Sequence, residues 1–338
     1  MDPVTQAALG SVFAQSSASA KQLGKAALIG ALAGMAADLD VLIRSDTDPL
    51  FALEFHRHFT HSLLFIPFAG LLCALVLHPL LGKRWQLTFW NTVLWCVIGY
   101  ATHGLLDACT SYGTQLLWPL SNQRFAWDTI SIIDPLFTLP LLALVVVAAR
   151  LKSKRWVWLG LLWGALYMSL GFVQHERALR MGKELAAQRG HTTLSIEAKP
   201  SFANLLVWKV IYATPTHYHV DAVRPGWRKN SVWQGSSIAK LDVARDLPWL
   251  DPLSQQAKDL ERFRWFSMGF IALHPRNPQQ IIDMRYSMLP HKIDPLWGIQ
   301  LDPQAGREQH VEFINLRGDG LGAFKQLQDM VLGRQQKP

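Results

Sequence analysis

The chain has 338 residues, half of them hydrophobic, and a formal net charge of +8. A mean hydropathy of +0.11 is high for a wholly soluble protein and low for a pure membrane bundle, which argues for one half of each kind. The cationic excess is divided among short loops, and neither a nucleic-acid motif nor a Walker-type phosphate loop occurs, so no nucleic-acid partner is expected.

Residues 3–19 carry Val4, Ala7, Ala8, Val12 and Phe13 at helical spacing. No cleavable signal peptide is read, because Lys21 and Lys25 precede the first strongly apolar run without a cleavage-site pattern. That run, residues 26–37, is shorter than the ~20 residues of a bilayer span. Its Gly30 and Gly34 form a small-xxx-small pair that lets helix backbones approach closely. Residues 62–81, 87–106, 133–149 and 156–174 are longer runs and bring the candidate helices to six. Trp85, Trp90, Trp118, Trp127, Trp156 and Trp158 lie near helix ends, where an aromatic belt places them. Cys73, Cys96 and Cys109 all fall in this half without a pairing motif, so the redox compartment is not legible.

An amphipathic helix is expected over residues 176–189. Strand-like runs bounded by Pro, Gly and Asn follow: Thr193–Ala198, Leu205–Ala213, His217–Val223, Phe263–Leu273, Ile281–Leu289, Trp297–Leu301 and Val311–Leu316. A last helix is expected over Leu321–Leu332. The fold expected is an α-helical membrane bundle of about 5–6 helices in residues 1–175, then a mainly β (α+β) soluble domain in residues 176–338.

Charge sets the topology. Lys21 and Lys25, Lys83 and Arg84, and Arg150, Lys152, Lys154 and Arg155 occupy alternate, acid-free connections, which the positive-inside rule places in the cytoplasm. The remaining connections carry Asp38, Asp40, Asp46, Asp48 and Glu54 against Arg44 and Arg57, then Asp128 against Arg124. A multi-pass membrane protein is expected, with these acids and the C-terminal domain on the outer side.

Four clusters on that outer face stand out: Asp38-Leu39-Asp40, His56 to Ser62, His103 to Asp107, and Asp134-Pro135. Ionisable groups beside membrane-length apolar runs are costly and point to a site. His103 and Asp107 are four apart and share one helix face, a common way to hold a divalent metal. Taken alone, the pair also reads as a solvated helix end. Asp38 and Asp40 follow a helix C-terminus, where the macrodipole disfavours acids unless a cation is near. Together Asp38, Asp40, His56, His61, His103 and Asp107 form a mixed N/O donor set suited to zinc first and manganese second. Six donors exceed one four-coordinate ion, so either two metals are held or some members act as general bases. Thr60, Ser62, Thr110 and Ser111 are read as hydrogen-bonding support. Asp134 is read as a helix N-cap before Pro135. Arg57 and Arg124 either clamp a phosphate or pair with Asp46, Asp48 or Glu54. His217 and His219 read as a surface strand pair, and His175-Glu176 lacks the second His of a zincin.

Ala37-Asp38-Leu39-Asp40, His56-Arg57-x-Phe59-Thr60-His61-Ser62-Leu63 and Gly99-x-x-x-His103-x-x-x-Asp107-x-x-Thr110-x-x-Gly113-x-x-x-Leu117-x-Pro119 resemble the pattern of the YdjM family over roughly residues 1 to 150. These bacterial inner-membrane proteins are described as metal-dependent hydrolases. The resemblance implies a metal centre built from the same six residues. A fainter likeness is to zinc-dependent phospholipase C and single-strand nucleases. Two departures are His58, where the family has Gly, and Thr5-Gln6, where many relatives have a His.

The function expected is hydrolysis of a phosphoester or a similar bond in an amphiphilic or lipid-linked substrate. His56, His61, His103 and Asp107 would be ligands, Asp38 and Asp40 ligands or bases, and Arg57 a stabiliser of transition-state charge. The competing reading is a metal-stabilised membrane scaffold or transporter without turnover. Transport is disfavoured because the ionisable groups gather at helix ends rather than mid-membrane.

Overall fold

A computed structural model describes residues 1–318 and 320–334. The chain forms two compact units. One comprises Met1–Ile43, Phe55–Val173 and Phe202–Asn204, and the other Arg44–Glu54, Gln174–Ser201 and the chain from Leu205 onward.

The first unit is helical. Its α1 (Pro3–Ser17) starts where the Asp2 carboxylate accepts from the backbone N–H groups of Val4 and Thr5, with Pro3 at the first position. Then come α2 (Leu23–Met35), α4 (Ile66–Leu77), α5 (Phe89–Ala108), α6 (Pro135–Leu151) and the start of α7 (Lys154–Gln188), while the short α3 (Phe51–Phe55) lies almost wholly in the second unit. Backbones of α1, α2 and α5 touch at glycines. A Cβ on Gly10 would lie 2.4 Å from the Gly30 carbonyl oxygen, and one on Gly99 2.5 Å from the same atom. The Gly30/Gly34 pair therefore serves two neighbouring helices rather than one.

Two stretches are long and apolar enough to cross a membrane: Leu63–Gly82, with mean hydropathy 2.2, and Lys154–Gln188, with 1.5. The expected set of six is not reached by length and apolarity. α5 has 20 residues but carries Asn91, Thr92, Tyr100, Thr102, His103 and Asp107, and α6 is shorter. The basic connections gather at one end of this unit. Lys25 Nζ donates to the Trp85 carbonyl at 3.0 Å, and Lys154 Nζ to that of Ser16 at 2.7 Å. α2 and α5 both run from that end toward the acid and imidazole clusters, and α4 runs back from them.

The second unit holds two four-stranded antiparallel sheets, each in sequence order. One is β1 (Ser195–Pro200), β2 (Trp208–Ala213), β3 (His217–Arg224) and β4 (Ser231–Ala239). The other is β5 (Ile271–His274), β6 (Asn277–Asp283), β7 (Trp297–Gln300) and β8 (Glu312–Asn315). Ile211, Ala213, Tyr218 and Val220 of the first sheet pack with Ala272 and Ile282 of the second, and with Phe270 and Met284 beside it, as one core. A short α8 (Val243–Asp246) and then α9 (Gln255–Phe266) join the sheets, and α10 (Gly320–Val331) buries Leu327 and Met330.

One local expectation is corrected, and one strand was not expected. The strand expected over Phe263–Leu273 is the end of α9 followed by β5. Leu260, Phe263 and Phe266 recur at helical spacing on a buried face, and Ser254 caps the helix by accepting from Ala257 N–H. The strand β4 gave no signal, because Ser231–Ala239 is a mostly polar, half-exposed edge strand without apolar alternation.

Candidate metal centre

After α2 the chain tightens into a 3₁₀ stretch, Ala36–Leu42. At three residues per turn, side chains two apart diverge, so Asp38 and Asp40 approach His61 at different ring nitrogens, Asp38 at Nε2 and Asp40 at Nδ1. His61 closes a second 3₁₀ turn, Phe59–His61, laid directly on α5. Gly104 permits this contact: a Cβ there would lie 2.2 Å from the His61 carbonyl oxygen. Arg57 sits between these turns with φ 64°, a conformation rare outside glycine. Its N–H reaches Asp40 Oδ2 at 3.1 Å while its guanidinium turns to Asp107.

Two groups of donors converge. Asp38, His61, His103 and Asp107 each offer one atom within 4.8 Å of the others, and so do Asp38, Asp40 and His56. Asp38 belongs to both. His103 donates Nδ1–H to the Gly34 carbonyl at 2.5 Å and turns Nε2 to Asp38 Oδ1 at 3.2 Å. Thr60 gives its one hydroxyl proton to Asp40 Oδ2 at 2.8 Å, so it accepts from His61 Nδ1 at 2.9 Å. His61 Nε2 then faces Asp38 Oδ1 at 3.5 Å and Asp107 Oδ2 at 3.3 Å. Ligating histidines are normally fixed this way, with one nitrogen engaged by the protein and the other presented to the ion. His61 Nε2 is buried and makes no aligned hydrogen bond, as expected of an atom aimed at a cation, while Asp107 Oδ2 also faces the Arg57 guanidinium. A buried Asp/His cluster that can hold a metal ion is thus present.

The electrostatics agree. Burial alone would raise the Asp38 and Asp40 carboxyls. Hydrogen bonds from His103 and His61 to Asp38, and from His56 and His61 to Asp40, outweigh it and hold both well below the usual carboxylate range. Burial alone would lower the His61 imidazolium, but Asp107, Asp38 and Asp40 raise it to about 10. Without a metal, the cluster therefore keeps a proton on His61 where a divalent ion would compete for the lone pair.

A family model described as YdjM inner membrane protein matches residues 1–178. The chain belongs to the YdjM family. Inner membrane protein YbcI of Escherichia coli (strain K12) is 32% identical over 122 residues, covering 32% of this chain and 65% of YbcI. The uncharacterized protein YfhP of Bacillus subtilis (strain 168) is 27% identical over 126 residues, 37% of each chain. The chain thus spans less than two thirds of either relative. No solved structure matches it.

The YdjM segment contains both donor groups, and the other predicted residues take different places. Arg57 is 2% exposed, with Nε 2.9 Å from Asp107 Oδ2 and Nη1 2.9 Å from Thr110 Oγ1, so its partner is the Asp107 carboxylate rather than Asp48 or Glu54. Asp134 caps α6 and takes the Tyr167 hydroxyl at 2.8 Å. His58 packs against Trp118 and Phe55, with ring centroids 5.0 and 5.3 Å away. His219 stacks on Tyr212, the residue opposite it on β2. The Met1 ammonium group lies against Asp107 Oδ1.

Sequence reasoning missed several supports. Gln6 donates Nε2 to Asp107 Oδ1 at 2.9 Å. The Tyr100 hydroxyl donates to the Thr60 carbonyl at 2.6 Å. The departure from His at Thr5-Gln6 was the one available signal for Gln6.

Proposed function

We propose that this YdjM-family protein is a metal-dependent hydrolase of the inner membrane. It would cleave a phosphoester or a similar bond in an amphiphilic or lipid-linked substrate at the outer membrane face. The supporting observation is the pair of donor groups sharing Asp38, with one open side: the Asp38 and His56 side chains are 23% and 26% exposed, whereas those of Asp40, His61, His103 and Asp107 are buried. Two imidazoles and two carboxylates suit zinc, or manganese. When bound, such an ion supplies Lewis acidity and lowers the pKa of water.

The side chains then divide the work. Asp38, His61, His103 and Asp107 hold the ion. His56, the exposed imidazole, accepts a proton at the opening, and Asp40 orients it through Nδ1 at 2.9 Å. Asp40 and His56 with Asp38 alternatively hold a second ion. Arg57 steadies the buried charge of Asp107 and through it the ligand geometry. The membrane reading adds further spans to the two apolar stretches, with α2 and α5 crossing in company because their polar atoms are satisfied inside the helical unit. The basic ends would face the cytoplasm and the site the periplasm.

The deciding experiment is elemental mass spectrometry of detergent-purified protein beside His61→Ala and His103→Ala, followed by a phosphoester screen. About one or two zinc or manganese ions per chain are expected, lost in both variants while the fold is kept. Failure of the wild type to bind added metal overturns the proposal. Bound metal without turnover on any substrate would leave a scaffold.

A further inference from the structure

The chain does not pass directly from Asp40 to His56. Ile43 is the last residue of the helical unit before the gap, residues 44–54 belong to the second unit, and Phe55 resumes the helical one. Within the second unit, one side chain on α9 holds this excursion. Arg262 donates Nη1 and Nη2 to Asp48 Oδ1 and Oδ2 at 3.0 and 2.7 Å. It also donates Nε and Nη2 to Glu54 Oε1 and Oε2 at 2.6 and 3.0 Å. Both contacts are two-pronged, the geometry in which a planar guanidinium fixes direction as well as distance.

The guanidinium is itself fixed from behind. Nη1 reaches Asp259 Oδ1 at 2.9 Å, and Asp259 is fully buried. Its second oxygen meets His310 Nδ1 at 2.8 Å and the Val311 N–H at 3.2 Å. Three carboxylates around one cation, one of them buried, make a network rather than an isolated surface pair, which alone would contribute little.

The clamp matters because of where the excursion ends. Glu54 is followed by Phe55 and His56, and Asp40 precedes the excursion by four residues. A loose loop of this length would leave the ends free to separate, and ordering it would weaken binding that needs both ends together.

We propose that Arg262 is a positioning residue for the metal centre: by fixing Asp48 and Glu54 it holds Asp40 and His56 in register, so the second unit sets metal affinity. This rests on the reading of the cluster as a metal site. Arg262 touches neither ion nor substrate.

The test is Mn²⁺ and Zn²⁺ affinity of the full chain in detergent, by chelator competition, for wild type, Arg262→Gln, Arg262→Lys and the double variant Asp48→Asn/Glu54→Gln. Arg262→Gln and the double variant should bind about tenfold more weakly, and Arg262→Lys should recover part of the loss. Hydrogen exchange of residues 44–54 should slow on metal addition in wild type and not in Arg262→Gln. Wild-type affinity in a folded Arg262→Gln overturns the proposal and leaves the metal site standing. No metal binding by wild type removes the metal reading and this proposal with it. Should Arg262→Gln not fold, the double variant decides, since it keeps Arg262 on Asp259.

Discussion

His61 is the residue on which the cluster's charge balance turns. It faces Asp38, Asp40 and Asp107 together, and they raise its imidazole from 6.5 to about 10 despite burial. In metal-free protein this pairing contributes stability that is complete below pH 6.5 and is lost as pH rises through about 10. The proton and the ion seek the same nitrogen, so Mn²⁺ affinity should climb across that window, by up to about tenfold per pH unit, with one proton released per ion. Chelator competition at several pH values checks this, and a flat profile would refute it. In His61→Gln the slope should disappear. At this scale the sequence was partly legible. The spacing of His103 and Asp107 and the crowding of histidines around His61 marked the donors. Tyr100 and the Gly34 carbonyl left no such mark, because they reach the donors from distant segments and carry ordinary local roles.

Between elements, the contact that decides the site is His61 on α5. Its closeness depends on Gly104, where a methyl group would meet the His61 carbonyl oxygen at 2.2 Å. Gly104→Ala should force the 3₁₀ turn away from α5, costing about 1–3 kcal/mol of stability as overpacking does. Metal affinity should fall by at least about tenfold, since the His61 donor moves with its backbone. A thermal melt and a metal titration measure both, and unchanged affinity would show that the turn can shift without disturbing the donors. Gly30 and Gly34 announced close packing in the sequence through their spacing, whereas their partners Gly10 and Gly99 are single glycines on other helices. The same limit explains α9: its aromatic run satisfies a strand pattern and a helix pattern alike over so short a stretch, and only the Ser254 cap separates them.

For the whole molecule, the sequence divided an apolar first half from a strand-rich second half, and the structure has helices in the one and two antiparallel sheets in the other. The excursion of residues 44–54 was not legible. Asp48 and Glu54 had nearby arginines to pair with, and their actual partner, Arg262, lies more than 200 residues further along. On the proposed function, the basic connections would face the cytoplasm. Alkaline phosphatase fused after Gly82 or Lys152 should be inactive, and fused after Asn122 active. The reverse pattern would move the metal centre to the cytoplasmic face.

Asp38 is the one carboxylate common to both donor groups, and sharing it would impose an order of loading. On the proposed function, the first ion settles among four donors, three of them buried. It takes up part of the single negative charge of Asp38, so a second ion at Asp40 and His56 meets a poorer partner and binds later. Occupancy would rise in two steps rather than one as metal becomes available. If the second ion is the one that meets substrate, the protein would stay folded and loaded yet idle in scarcity, and begin turnover only above a threshold concentration.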